Sequence, residues 1–123
     1  MPSRRTRRVL LVGNPNVGKS VLFGKLTATY VTVSNYPGTT VEVTRGAGVG
    51  FDEAPSIDWE IVDTPGTNNL AAMSDDEAVT RAIVLSGESD LVVQVGDAKA
   101  LSRVLLLTFQ LAEAGRPFVL CLN

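Results

Sequence analysis

The sequence predicts an α/β fold: a mostly parallel sheet covered by helices, with one antiparallel edge strand. Three observations predict it. Apolar runs of strand length, such as "RVLLVG" (Arg8–Gly13), alternate with helical patterns. The loop "GNPNVGKS" (Gly13–Ser20) joins the first strand to the first helix. Gly13, Asp63, Asp97 and Asn123 all fall at the carboxyl ends of expected strands, where the binding crevice of such sheets lies.

Each element has its own signal. Arg4, Arg5, Arg7 and Arg8 make residues 1–8 a basic N-terminal tail, ahead of a domain over 9–123. "RVLLVG" is continuously apolar, as a strand buried on both faces is. "KSVLFGKLTA" fits a short helix with Val21, Leu22 and Leu26 on its apolar side, weakened by Gly24. "TYVTVSNYPGTT" is polar, contains Pro37-Gly38, and reads as a loop. "VEVTRGAGVGF" alternates over Val41 and Val43, then fills with Gly46, Gly48 and Gly50, as a loose or bulged strand does. "IDWEIVDTPG" alternates Ile57, Trp59 and Ile61 and should form a hairpin with the strand before it; Trp59 reads as a packing residue.

"SDDEAVTRAIVLSG" opens with Ser74 and Glu77 at capping-box spacing, so a helix starts there and ends at Gly87. Asp75, Asp76 and Glu77 suit the positive end of its dipole. "SDLVVQVGD" is another buried strand. "KALSRVLLLTFQLAEAG" is an amphipathic helix closed by Gly115. "RPFVLCLN" is a final strand, with Cys121 expected in the core between apolar neighbours.

Composition narrows the class. A chain of 123 residues makes one domain. The formal net charge is −2, and −6 once the four leading arginines are set aside. An acidic body argues against broad nucleic-acid binding; the arginines suit either a solvated tail or a contact with anionic lipid or RNA. No apolar run approaches the roughly 18 residues of a membrane span, and no secretory h-region opens the chain. One cysteine and no histidine leave no ordinary zinc site and fit a reducing compartment.

The chemistry starts at "GNPNVGKS", which satisfies G-x-x-x-x-G-K-[ST] at every fixed position, between a strand and a helix. This predicts a three-layer P-loop NTPase. Gly13 and Gly18 permit backbone angles and close approaches that a Cβ would block. Asn14, Pro15, Asn16, Val17, Gly18 and Val21 are expected nucleotide-binding positions, where successive N–H groups (Pro15 has none) and the helix N-terminus make an anion cradle. Lys19 places an ammonium against the β- and γ-phosphates, and Ser20 offers its hydroxyl to Mg²⁺. "DTPG" follows at a strand end, where Asp63 serves the magnesium side and the Gly66 N–H serves the γ-phosphate. A threonine from the intervening loop, Thr39 or Thr40, completes the metal shell and is ordered by the triphosphate.

Together, "GNPNVGKS", "NYPGTTVEV", "DTPGT", "SDDEAV…LSGESDLVVQVGDA" and "LLLTFQLAEAGRPFVLCLN" resemble the cytoplasmic G domain of the ferrous iron transport protein B (FeoB) family, from Val9 to Asn123. The resemblance implies a Ras-like G domain that binds GTP or GDP with Mg²⁺ and is activated by K⁺. Asn16 resembles the asparagine that ligates potassium, and "SNYPG", with Gly38, resembles the segment whose carbonyls complete that site. Thr40 matches the magnesium threonine of switch I, and Asp63 and Gly66 match switch II. Lys19, Thr40 and Gly66 are the catalytic candidates. Ras-like enzymes place a glutamine after the switch II glycine; here Thr67 follows, too short to orient water, and potassium would stand in for an arginine finger. Val21 replaces the commoner threonine after the metal-binding serine.

Asn123 resembles the first letter of the guanine-reading N-[KM]-x-D, so the G domain is expected to be incomplete at its C-terminal side. The implied function is GTP hydrolysis to GDP and phosphate, regulating or driving ferrous iron uptake. The implied setting is the cytoplasmic face of the bacterial inner membrane. The partners would be guanine nucleotide and the membrane-embedded remainder of the polypeptide, with no nucleic acid and with a homo-oligomer left open; the segment itself would be soluble. Two other readings stand beside it: a soluble ribosome- or RNA-assembly GTPase, and a fragment that binds nucleotide weakly without turnover.

Overall fold

Strand β1 (Arg5–Gly13) shows how the sequence builds the layers. Its four consecutive buried hydrophobic side chains split by parity. Val9 and Leu11 join Phe23 and Ile61 in one cluster; Leu10 and Val12 join Val62, Val92, Ile83 and Leu107 in the other. Successive strand side chains point to opposite faces, so a run without polar breaks needs cover on both. Helix α1 (Lys19–Leu26) supplies one cover through Phe23. Helices α2 (Asp75–Leu85) and α3 (Leu101–Glu113) supply the other. Fully burying each Val or Leu contributes about 1.5–3 kcal/mol. The computed structural model describes residues 5–49, 57–68, 70–71 and 74–123.

The remaining strands are β2 (Thr27–Asn35), β3 (Glu42–Gly48), β4 (Ile57–Asp63), β5 (Leu91–Gly96) and β6 (Phe118–Leu122). They form a six-stranded sheet in the order β2-β3-β4-β1-β5-β6. β1 pairs in parallel with β4 and β5, and β5 with β6. β3 runs antiparallel to both β2 and β4, so it alone is reversed. The expected mixed, mostly parallel sheet is present, and its reversed strand lies one place in from the edge.

Several expectations need correction. Residues 29–35, expected in a loop, and 27–28, expected at the end of the first helix, form the edge strand β2, whose Thr, Val and Tyr content is strand-forming although polar. The basic tail does not reach residue 8: Arg5, Arg7 and Arg8 lie in the β1 ladder, opposite Ile57, Trp59 and Glu60. Acids hold Arg7 and Arg8 there. Arg7 Nη1 lies 3.4 Å from Asp90 Oδ1, the Arg8 N–H donates to Asp90 Oδ2 at 2.8 Å, and Arg8 Nε donates to Glu60 Oε1 at 2.9 Å. Arg4 and Gly50 lie outside the described residues.

Val21 is not on the buried side of α1 but 63% exposed; Phe23 is the inward residue. Cys121 is exposed rather than in the core. It sits opposite Val95 on the edge strand β6, on the α1 face, and α1 packs beneath β1 and β4 instead. Trp59 packs against the α1-side cluster, as expected.

The helix caps follow their sequence signals. Ser74 caps α2: its Oγ accepts the Glu77 N–H at 3.2 Å and donates to Glu77 Oε1 at 3.3 Å. Gly87 and Gly115 follow α2 and α3 with φ of +79° and +72°, the left-handed conformation that glycine adopts without strain. Among the described residues no helix is long and apolar enough to cross a membrane.

Candidate functional site: a phosphate loop joined to two strand ends

The loop after β1 turns through two left-handed residues, Asn16 (φ +62°) and Gly18 (φ +91°). Such turns direct successive backbone N–H groups into one concavity, at the N-terminus of α1. The cleft there holds about 600 Å³ and is lined by the loop from Asn14 to Val21, with Gly66 and Asp76. Gly18 has a second reason to lack a Cβ, which would stand 2.8 Å from Asn123 Nδ2. Gly13 is required for another cause than phosphate contact. A Cβ there would lie 2.4 Å from the carbonyl oxygen of Val95, so its absence lets β1 and β5 close on each other.

Lys19 opens α1 and is buried. Its ammonium donates to Asp63 Oδ1 and, at 2.6 Å, to the Thr64 carbonyl. The structure thus joins the loop lysine to the carboxylate at the end of β4. Burying a charged pair is tolerated because each partner satisfies the other. Ser20, at the second position of the helix, is exposed.

The segment after Asp63 is tied to the end of β1. Thr64 donates through N–H (3.2 Å) and Oγ1 (2.7 Å) to the Leu11 carbonyl, and the Thr67 N–H donates to Gly13 O at 2.8 Å. Gly66 packs against Pro15, where a Cβ would stand 3.0 Å from the proline Cα. Asn14, nominated as a ligand-binding residue, directs its side-chain amide away from the cradle. Its Nδ2 donates to Thr67 O at 3.2 Å and to Asn68 Oδ1 at 3.4 Å.

Thr67 is buried, and its hydroxyl donates to Glu77 Oε2 at 3.4 Å. The same oxygen accepts the Asn68 N–H at 3.2 Å. Glu77 is therefore more than a helix-capping acid, and nothing in local spacing foretells its reach to Asn68. Asp76 bordering the cleft was equally unforeseen, because only the packing of α2 places its first turn there.

Asn123 belongs to the site. Its N–H donates to Gly96 O at 2.8 Å, its carbonyl accepts the Ala98 N–H at 3.1 Å, and its Nδ2 donates to Val17 O at 3.3 Å. The ends of β5 and β6 are thereby fastened to the phosphate loop. Asp97 caps the short turn that follows, accepting the Lys99 N–H at 2.9 Å.

Gly38, Thr39 and Thr40 are not brought to this cleft. Tyr36–Thr39 is a tight turn with Pro37 second and Gly38 (φ +81°) third, closed by Thr39 N–H to Tyr36 O at 3.0 Å. Thr39 Oγ1 donates to Tyr36 O (2.9 Å) and accepts the Val41 N–H (3.1 Å), so its hydroxyl serves the turn. Thr40 is exposed and lines, with Asp75, Ala78 and Val79, a separate cleft against α2.

The family model for ferrous iron transport protein B matches residues 7–123. The chain is also 42% identical over 111 residues to the Fe(2+) transporter FeoB of Methanocaldococcus jannaschii. This chain belongs to the FeoB family. It is 41% identical over 117 residues to the Fe(2+) transporter FeoB of Escherichia coli K12. These matches cover 90% and 92% of the chain but only 16% and 15% of the two relatives. Among solved structures, the G domain of the T. maritima FeoB iron transporter superposes with a TM-score of 0.85 at 35% identity, covering 96% of this chain and 72% of that one. A mutant of S. thermophilus NFeoB bound to GDP superposes with a TM-score of 0.84 at 38% identity, covering 95% and 44%. The fold is accordingly that of the FeoB G domain, a P-loop GTPase architecture, and the guanine nucleotide in the S. thermophilus protein belongs to that protein.

Proposed function

We propose that this chain binds and hydrolyses GTP as the nucleotide-responsive part of a ferrous iron transporter. The observation that carries the reading is the convergence of the phosphate loop, Lys19, Asp63 and Gly66 on one rim, in a chain of this family. Lys19 is the cation for the β- and γ-phosphates, and the cradle needs the left-handed Gly18 that the structure contains. The loop from Asn14 to Val21 holds the phosphates, and Gly66 offers its N–H to the terminal one.

A magnesium ion would be held by the hydroxyls of Ser20 and Thr40 and by Asp63, hard oxygen donors of the kind it takes. A potassium ion would take the side-chain oxygen of Asn16 and carbonyls of residues 34–38. When bound, these cations neutralise charge that develops on the transferring phosphoryl group. Thr67 does not replace the water-orienting glutamine, and its hydroxyl points to Glu77 instead. Asn123 contributes to guanine recognition through its place beside the loop. The transported ferrous ion, the membrane-embedded partner and the cytoplasmic face are properties proposed for the parent polypeptide.

The test is GTP hydrolysis by the FeoB-family protein in potassium against sodium, with ATP as the competing substrate. Faster turnover in potassium and a preference for GTP are expected. Lys19→Ala should weaken triphosphate binding by roughly 10- to 150-fold, as losing a hydrogen bond to a charged group does. Undiminished affinity in that variant overturns the loop assignment, and equal rates in the two salts overturn the role of Asn16.

A further inference from the structure

A second cavity, of about 320 Å³, lies between the sheet and the carboxyl-terminal end of α2, apart from the phosphate-loop cleft. Leu10, Val43, Val62 and Ile83 give it an apolar surface, and Tyr36 and Pro37 border it from the opposite side. Its polar lining is unusual. Arg8 Nε and Arg45 Nη1 both donate to the same oxygen, Oε1 of Glu60, at 2.9 and 3.2 Å. Two guanidinium groups thus share one carboxylate, leaving a positive charge uncompensated within the triple. Each guanidinium has five N–H donors, so most remain available. Both arginines line the cavity.

The second observation is Ser89. The residue is 9% exposed, it lines the same cavity, and its Oγ is buried without a hydrogen-bond partner. Buried hydroxyls are normally satisfied, and an orphan one marks a place where a ligand or water belongs. Glu88 also borders the cavity, but it is exposed, where solvent screens its charge.

We propose that this cavity is a binding site for a small organic anion: a carboxylate or phosphate monoester carried on an apolar body about the size of one aromatic ring. Arg8 and Arg45 take the acidic group, as guanidinium forks do. Ser89 Oγ donates to it. The apolar body rests on Leu10, Val43 and Val62. The volume is at the small end of ligand sites, which sets the size of the occupant. Arg8, Arg45 and Ser89 lie outside the phosphate loop, and the cavity meets the nucleotide reading only at Ser34–Pro37, the segment proposed to offer carbonyls to potassium. An occupant would brace Tyr36 against α2.

The experiment is an amide NMR titration of the ¹⁵N-labelled chain, saturated with GDP, using phenyl phosphate as the probe. Phenol and inorganic phosphate are the controls for its two halves. Saturable shifts are expected at Val43, Ile83 and Ser89, with both controls binding far more weakly. Arg45→Gln should weaken the probe about tenfold or more, as loss of a charge-assisted hydrogen bond does. Ser89→Ala should weaken it about fivefold. Ser89→Ala removes only a hydroxyl that the folded chain leaves unpartnered, so this variant keeps the test valid if Arg45→Gln fails to fold. Shifts confined to Gly13–Ser20, no saturable shift, or the same affinity in both variants overturns the proposal.

Discussion

At the scale of single residues, two glycines make opposite demands that only the three-dimensional structure separates. Gly13 faces the Val95 carbonyl, and a Cβ would approach that oxygen to 2.4 Å. The oxygen belongs to the backbone of a central strand, so nothing flexible can yield. Gly24 sits in α1 with nothing within 4 Å of its Cβ position. Gly13→Ala should therefore cost about 2 kcal/mol or more, at the upper end for overpacked sites. Gly24→Ala should stabilise by about 0.5–1 kcal/mol, since alanine restricts the unfolded chain and suits a helix. Urea unfolding of both variants checks the pair; a change of the same sign in each would refute this account of β1 against β5. The motif gave both loop glycines one reason, freedom from a Cβ. Gly18 needs it for its left-handed φ of +91°, whereas Gly13 needs it for the packing of the sheet.

At the scale of elements, legibility followed how local the determining interaction is. α2 was readable to within a residue because its boundary signals sit inside it: Ser74 and Glu77 at the start, Gly87 after the end. The cap should be worth about 1 kcal/mol, so Ser74→Ala should lower stability by that amount in denaturant titration. The loss should exceed that of an exposed-surface control such as Ser102→Ala, which lies inside α3. β2 was missed because its cause is not local. Thr27–Asn35 carries few apolar residues, and its stability comes from the ladder with β3, where Val31 meets Gly46 and Val33 meets Thr44. Arg5–Arg8 misled for the same reason: charge suggested a tail, while Glu60 on β4 and Asp90, just before β5, hold Arg7 and Arg8 in the sheet. The exposure of Cys121 depends on where α1 packs, which no stretch around the cysteine encodes.

At the scale of the whole molecule, the candidate site was legible where strand ends set it and illegible at Thr40. Strand ends bring Lys19, Asp63, Gly66 and Asn123 together, and the order of strands and helices implies that rim. The position of Thr40 is not set by topology. It lies on a loop whose turn, Tyr36–Thr39, is internally bonded, and it lines the cleft against α2. A ligand shifts such a loop only by the free energy with which it prefers one arrangement. On the proposed function, a triphosphate with magnesium supplies that preference through the Thr40 hydroxyl, whereas a diphosphate does not. The two threonines then separate cleanly. Thr40→Ala should weaken a non-hydrolysable GTP analogue about tenfold, the scale of one hydrogen bond to a charged group, and leave GDP affinity unchanged. Thr39→Ala should lose the turn bonds to Tyr36 and Val41 and alter the two nucleotides' affinities alike. Calorimetry of both variants with both nucleotides measures this. If Thr40→Ala weakened GDP as much as the analogue, the loop would be a fixed part of the site rather than a switch.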